Sequence, residues 1–144
     1  MSERGTEPVI LVVEDDPAHS EAMARVLAPH AGYRLRFATS LAEAQREIER
    51  EAPALVLADL NLADGKAFDL LSGSSDRPVL PVLVLTSHGD EQTAVRAMRC
   101  GALDYVVKSA EAFAGLSHTV ERALREWRLI QSRRTAEAAL RESE

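Results

Sequence analysis

The chain has 144 residues, of which 46% are hydrophobic and 28% charged, and this suits one soluble globular domain with a full core. Its net charge of -6 argues against a nucleic-acid surface, because binding phosphate backbones needs a basic face; a protein or a small ion is the expected partner. Cys100 stands alone, which excludes an internal disulfide, and the scattered His19, His30, His88 and His118 do not complete a zinc site, so a reducing, cytoplasmic setting is expected.

In chain order, the opening MSERGTEP has no apolar stretch of signal length, and no later apolar run approaches a membrane span. Residues 9–13 form a strand-length apolar run that ends abruptly in Glu14, Asp15 and Asp16, with Pro17 suited to the first position of a helix. Residues 33–37 (YRLRF) alternate in polarity, as an edge strand with one wetter face does. Ser40 to Glu43 (SLAE) is a capping box that opens a second helix. Residues 54–58, 82–85 and 104–107 repeat the first pattern, rich in Val and Leu and mostly without alternation, and are expected to be buried on both faces. Between the last two, DEQTAVRAMRCG from Asp90 reads as a helix capped at Gly101, with Cys100 as a small buried apolar residue. Strand and helix alternate through five strands, which predicts an α/β fold, a doubly wound parallel sheet with helices on both faces.

Ligands of such sheets bind at the carboxyl ends of the strands. The first strand delivers Glu14, Asp15 and Asp16 there, the third Asp59, the fourth Thr86 and Ser87, and the fifth Lys108. Adjacent carboxylates repel by roughly 1 to 4 kcal/mol per pair, so a cation is expected among them. The oxygen-rich set suits a hard divalent ion, Mg2+ or Mn2+. An aspartate can attack phosphorus when nearby cations neutralise the developing charge, with the Thr86 hydroxyl and the Lys108 ammonium available to phosphoryl oxygens.

Taken in order, VVEDD, VLADLNL, VLVLTS and DYVVK resemble the receiver domain of two-component response regulators, over roughly residues 8–125. The resemblance implies a flavodoxin-like (CheY-like) five-stranded sheet of order 2-1-3-4-5. It implies Asp59 as phosphoacceptor, Asp15 as direct metal ligand with Glu14 acting through water, and the backbone carbonyl of Asn61 completing the metal site. Thr86, Lys108 and Tyr105 match the phosphate-sensing hydroxyl, the phosphate-binding lysine and the switch aromatic. The implied donor is a phosphohistidine of a sensor histidine kinase or a histidine phosphotransfer protein. The implied response is a shift of Thr86 and Tyr105 that alters the face formed by the helix from Asp90, the fifth strand and the last helix. Two departures stand out. Ser109 replaces the usual proline after the lysine, which disfavours a cis bond there, and Ala63 and Ala67 replace a usual proline and glycine in the loop after Asp59, which predicts a looser loop.

Taken singly, these residues have plainer roles. Acids before a helix favour its positive end, Asp59 could be a turn residue, Thr86 a strand former, Lys108 a solvated charge and Tyr105 core. An aspartate-nucleophile phosphohydrolase is a rival, but such enzymes place a second acid two residues after the nucleophile, where this chain has Asn61. A flavin or nucleotide carrier is disfavoured because EDDP would repel the phosphate. A phosphorylation-independent receiver-like interaction module is the remaining alternative, opposed by the retention of Asp59, Thr86 and Lys108.

The tail carries a further expectation. Leu116, Val120, Leu124, Trp127 and Ile130 recur at helical spacing, and RLIQSRRTAEAALRESE holds neither Gly nor Pro, so the last helix should run well past Trp127. The expected division is a receiver domain at 8–128 and a helical linker at 129–144, leading toward a downstream PAS or kinase module or a parallel homodimer. The polar stretch from Gln131 to Thr135 interrupts the seam, and a stand-alone receiver with a long, frayed helix is the alternative.

Overall fold

Apolar runs that are strand-length and unalternating must bury both faces, and the chain does so by stacking helices on each side of one sheet. The computed structural model describes residues 7–29, 32–71, 80–87 and 91–143; Asp90, His30, His88, residues 1–6 and Glu144 lie outside them. The elements are β1 (Val9–Val13), α1 (Pro17–Leu27), β2 (Arg34–Ala38), α2 (Leu41–Arg50), β3 (Leu55–Asp59), α3 (Phe68–Leu71), β4 (Val82–Thr86), α4 (Glu91–Arg99), β5 (Asp104–Val107), α5 (Ala110–Ala114) and α6 (Leu116–Ser143). A small antiparallel ribbon pairs Asn61–Leu62 with Gly65–Lys66 between β3 and α3. The five main strands are parallel in the order β2-β1-β3-β4-β5, as expected.

Successive strand residues divide between two cores. Leu11, Val13, Val56, Ala58, Val82 and Val84 face Leu41, Ala44 and Ala97 of α2 and α4. Ile10, Val12, Leu55, Leu57, Leu83 and Leu85 face Met23 and Leu27 of α1 and Leu116, Val120 and Leu124 of α6. Each fully buried Val, Leu, Ile or Met side chain among them contributes about 1.5–3 kcal/mol, which is what holds the central strands between their helices.

The edges differ from the centre. β2 is an edge strand as its alternation implies, with Arg36 paired to Glu47 of α2 at 2.7 Å and to Glu51, the residue after α2, at 3.0 Å. β5, expected to be buried on both faces, is the opposite edge and only half-buried, because no strand among the described residues lies beyond it. Cys100, expected to be buried, is exposed. It follows the last helical residue of α4, and the turn there belongs to Gly101. The Gly101 amide donates to Met98 and the Ala102 amide to Ala97, with Gly101 at φ +104°. This is a Schellman stop that needs a glycine conformation.

The loop after Asp59 is tied down rather than loosened by its alanines. Ala67 is fully buried and its amide donates to the Leu60 carbonyl at 2.9 Å. Asp64 reaches to the start of α2, where its carboxylate accepts from the Leu41 amide at 2.9 Å and the Ala42 amide at 3.1 Å. Ser40 Oγ accepts from the Glu43 amide, as a capping box requires. The reciprocal half differs: the Glu43 carboxylate accepts from the amide and hydroxyl of Thr39, one residue further out than Ser40. The first three amides of α2 are therefore all satisfied by side chains, one of them from the loop. Gly65, at φ +152°, lies where an added Cβ would stand 2.6 Å from Leu41 Cδ1.

The two amides hold the Asp64 carboxyl below the usual aspartate range. A depressed carboxyl adds stability that is present above its unfolded pKa and lost as pH falls through the folded value. Asp64→Ala is accordingly expected to lower the thermal midpoint near neutral pH, with the gap from the wild type closing in acid; equal midpoints near neutrality would contradict the cap. Gly65→Ala should cost about 1–3 kcal/mol by urea unfolding, from overpacking against Leu41 and a strained backbone.

Candidate functional site

The parallel register sets the level of each side chain at the carboxyl edge of the sheet. Val13 pairs with Ala58, Asp59 with Leu85, and Thr86 with Val107, so Glu14, Asp59, Thr86 and Lys108 emerge as a contiguous row. Glu14 continues β1, its amide bonded to the Ala38 carbonyl at 2.9 Å, and Lys108 continues β5, its amide bonded to the Thr86 carbonyl at 2.8 Å.

The Lys108 ammonium is buried at the centre of this row. It lies 2.5 Å from Glu14 Oε1, 3.2 Å from Asp59 Oδ2 and 3.1 Å from His19 Nδ1. Glu14 is buried and its other oxygen accepts from the Asp16 amide at 3.2 Å. Burial pushes the Glu14 carboxyl up, with the charge of Asp59 adding to the rise, while the Lys108 and Asp16 hydrogen bonds oppose it. Its ionisation thus weakens the fold as pH rises from the ordinary glutamate range through the raised value.

Glu14, Asp15 and Asp59 each offer a carboxylate oxygen within 4.8 Å of the others. Asp59 and Glu14 are buried whereas Asp15 is exposed, so the cluster opens to solvent on one side. All the donors are hard oxygens, which fits a magnesium- or manganese-type ion better than a soft metal. Asp16, the third acid of the run, does something else. It caps α1, accepting from the Ala18 amide at 2.9 Å, so here the plainer reading of an acid at a helix start applies.

The other expected site residues fall around this centre. Thr86 ends β4 with only 2% of its surface exposed. Tyr105 is half-buried on β5, opposite Val84 and two residues before Val107. Asn61 is exposed in the ribbon after Asp59, its side-chain oxygen bonded to the Lys66 ammonium. All peptide bonds are trans among the described residues, in keeping with Ser109 after Lys108. Ser109 instead caps α5, its Oγ accepting from the Ala112 amide at 3.0 Å. Two residues of the site had no sequence signal: His19, on the first turns of α1, and Phe113 of α5, whose ring meets the imidazole edge-on at 5.8 Å. Only the packing of α1 against α5 brings them together.

Residues 10–120 match the family model described as response regulator receiver domain. The methanogenesis regulatory protein FilR1 of Methanothrix harundinacea is 37% identical over 130 residues, a match that takes in 86% of this chain but 29% of that protein. The chain therefore spans less than a third of that relative's length. Among solved structures, the signal receiver domain of a LuxO repressor protein from Vibrio parahaemolyticus superposes with a TM-score of 0.76 at 25% identity, covering 87% of this chain and 95% of that one. The beryllofluoride-activated NtrC4 receiver domain dimer gives 0.71 at 28% identity, covering 83% and 98%. The Mn(2+)-bound form of response regulator Rcp1 gives 0.67 at 25%, covering 76% and 91%.

Like charges a few ångströms apart repel by about 1–4 kcal/mol at dielectrics between water and protein surface, and Lys108 offsets part of that between Glu14 and Asp59. In buffer free of divalent ions near neutral pH, Asp59→Asn should raise the free energy of unfolding by about 1 kcal/mol, as the repulsion of Glu14 is removed. A loss of stability in urea titrations would show that the Lys108–Asp59 attraction outweighs it.

Proposed function

Because the chain belongs to the response regulator receiver domain family of two-component signalling, we propose that Asp59 is its phosphoacceptor, taking a phosphoryl group from the phosphohistidine of a sensor histidine kinase or histidine phosphotransfer protein. The observation that carries this is the buried Lys108 ammonium set 3.2 Å from Asp59 Oδ2, with two further acids beside it. An Asp59 oxygen attacks phosphorus, the new O–P bond forming as the N–P bond of the donor breaks, and the donor imidazole leaves with a proton. Lys108 exchanges its contact with Asp59 for one with a phosphoryl oxygen, and the Thr86 hydroxyl, at the end of the adjacent strand, donates to another. Glu14, Asp15 and Asp59, with the Asn61 carbonyl, would hold a Mg2+ or Mn2+ ion, which supplies charge neutralisation at the phosphoryl oxygens. The protein is a signalling domain on this reading, catalysing only its own phosphorylation and dephosphorylation.

The added phosphate charge draws Thr86 inward, and Tyr105, on the neighbouring strand, fills the space it leaves. The output surface is then α4, β5 and the helices after it, the face that already exposes Val95, Met98 and Val107. The receiver domain occupies residues 8–128. α6 runs unbroken from Leu116 to Ser143, and its buried residues are Leu116, Val120, Ala123 and Leu124. Trp127 and Ile130 are half-buried, and every described residue from Ser132 onward is exposed. Residues 129–144 therefore serve as a helical connection toward a partner copy or a downstream PAS or kinase module, in a cytoplasmic protein.

Radiolabel transfer from a phosphohistidine donor should be abolished by Asp59→Asn with the fold intact, and labelling of that variant would overturn the assignment. Beryllofluoride with magnesium should shift the amide signals of Thr86 and Tyr105 in the wild type, and unchanged spectra would favour a phosphorylation-independent interaction module. Magnesium titrations should show Asp15→Ala weakening binding more than Glu14→Ala, and equal affinity in all three proteins would place the metal elsewhere.

A further inference from the structure

An ammonium has three donors and no acceptor, and Lys108 has three acceptors about it: Glu14 Oε1, Asp59 Oδ2 and His19 Nδ1. The imidazole Nδ1 facing it accepts in the tautomer that carries its proton on Nε2, and the same atom stands 3.6 Å from Glu14 Oε1 and from Asp16 Oδ2. Two of the three acceptors belong to the acidic cluster, so each changes its commitments when that cluster is used. Asp59 loses its carboxylate charge on accepting a phosphoryl group, and Glu14 is drawn toward any cation held with Asp15. His19 lies outside the cluster, and it is itself held from behind. Phe113 meets its ring edge-on at 5.8 Å, carried there by the short helix that Ser109 caps directly after Lys108. The imidazole thus lies between the ammonium and the ring of Phe113, which the segment after the lysine carries, with 35% of the His19 side chain exposed.

We propose that His19 is a positioning residue for Lys108, its Nδ1 anchoring the buried ammonium beside Asp59 while Glu14 and Asp59 exchange partners. The proposal rests on the phosphoacceptor reading for its effect on rate, but not for its effect on the ammonium. Without the anchor, a buried N–H is left unsatisfied and the flexible lysine chain gains freedom to swing from the phosphoryl oxygens. Asparagine can offer a side-chain oxygen close to the place of Nδ1, whereas leucine fills the space and offers none.

The test uses the whole chain, with phosphoramidate as small phosphoryl donor and magnesium present, in wild type, His19→Leu and His19→Asn. The N–P bond of phosphoramidate breaks as the Asp59 O–P bond forms, releasing ammonia. His19→Leu should label about tenfold more slowly, since slight misplacement of a charged group is costly, and His19→Asn should recover most of the rate. A second readout is the lysine ammonium signal in 15N-correlated spectra without donor or metal. The buried Lys108 group should give a protected signal in the wild type and in His19→Asn that exchanges away in His19→Leu. An unchanged signal and rate in His19→Leu would overturn the proposal, as would equal losses in both variants, which would mark a packing role instead. If no protein labels but the ammonium signals follow this pattern, the phosphoacceptor reading falls and the anchor stands.

Discussion

One buried ammonium allows this sheet to end as it does. Glu14 and Asp59 are both buried at the edge of a core that is otherwise Val, Leu, Ile and Ala, and two carboxylates in such a place repel each other and lose hydration. Lys108, reaching in from the opposite edge strand, contacts both. The pair and its cation are therefore a single electrostatic unit, and the raised Glu14 carboxyl shows that the compensation is incomplete. The carboxylates beside the ammonium therefore do not form a fully satisfied network.

The surroundings of this unit are stiffer than their residue types suggest. Alanine at 63 and 67 leaves the backbone after Asp59 free of proline, but the segment gains its restraint from contacts: a two-residue ribbon, the buried Ala67 and the Asp64 carboxylate on the first amides of α2. The site loop and α2 thus share one cap, and movement of either pulls on the other. On the far side, Ser109 starts a helix by capping it, and that helix brings Phe113 to His19. Local hydrogen bonding in both places does what a rigid ring would do by covalent constraint.

α6 divides in two by its environment. Its first turns bury Leu116, Val120, Ala123 and Leu124 against the sheet, while Leu129 and Leu140 stand 70% and 64% exposed beyond it. Helix-forming composition is enough to continue the helix past its packing partner. The guanidinium of Arg134 over the Trp127 ring covers part of the junction.

Much of this was legible in the residues themselves. Unalternating runs of Val and Leu marked β1, β3 and β4 as central because only strands covered on both sides can be apolar throughout. Their last residues had to reach the same edge because parallel strands share one direction, and this alone brings Asp59 and Lys108 to one edge of the sheet. Most of what was not legible depends on which elements become neighbours. β5 has the composition of a central strand, and only the sheet order leaves it at an edge. Cys100 is small and apolar, yet it stands exposed just past the last helical residue of α4. Asp64 and His19 carry no local signal, since their partners lie 23 and 89 residues away in sequence. Sequence by itself determined the period of burial, the helix stops and the chemistry at the strand ends, all of which act over a few residues. The tertiary structure alone decided which acid caps, which faces the ammonium and which histidine completes it, because hydrogen bonds are specified by distance in space.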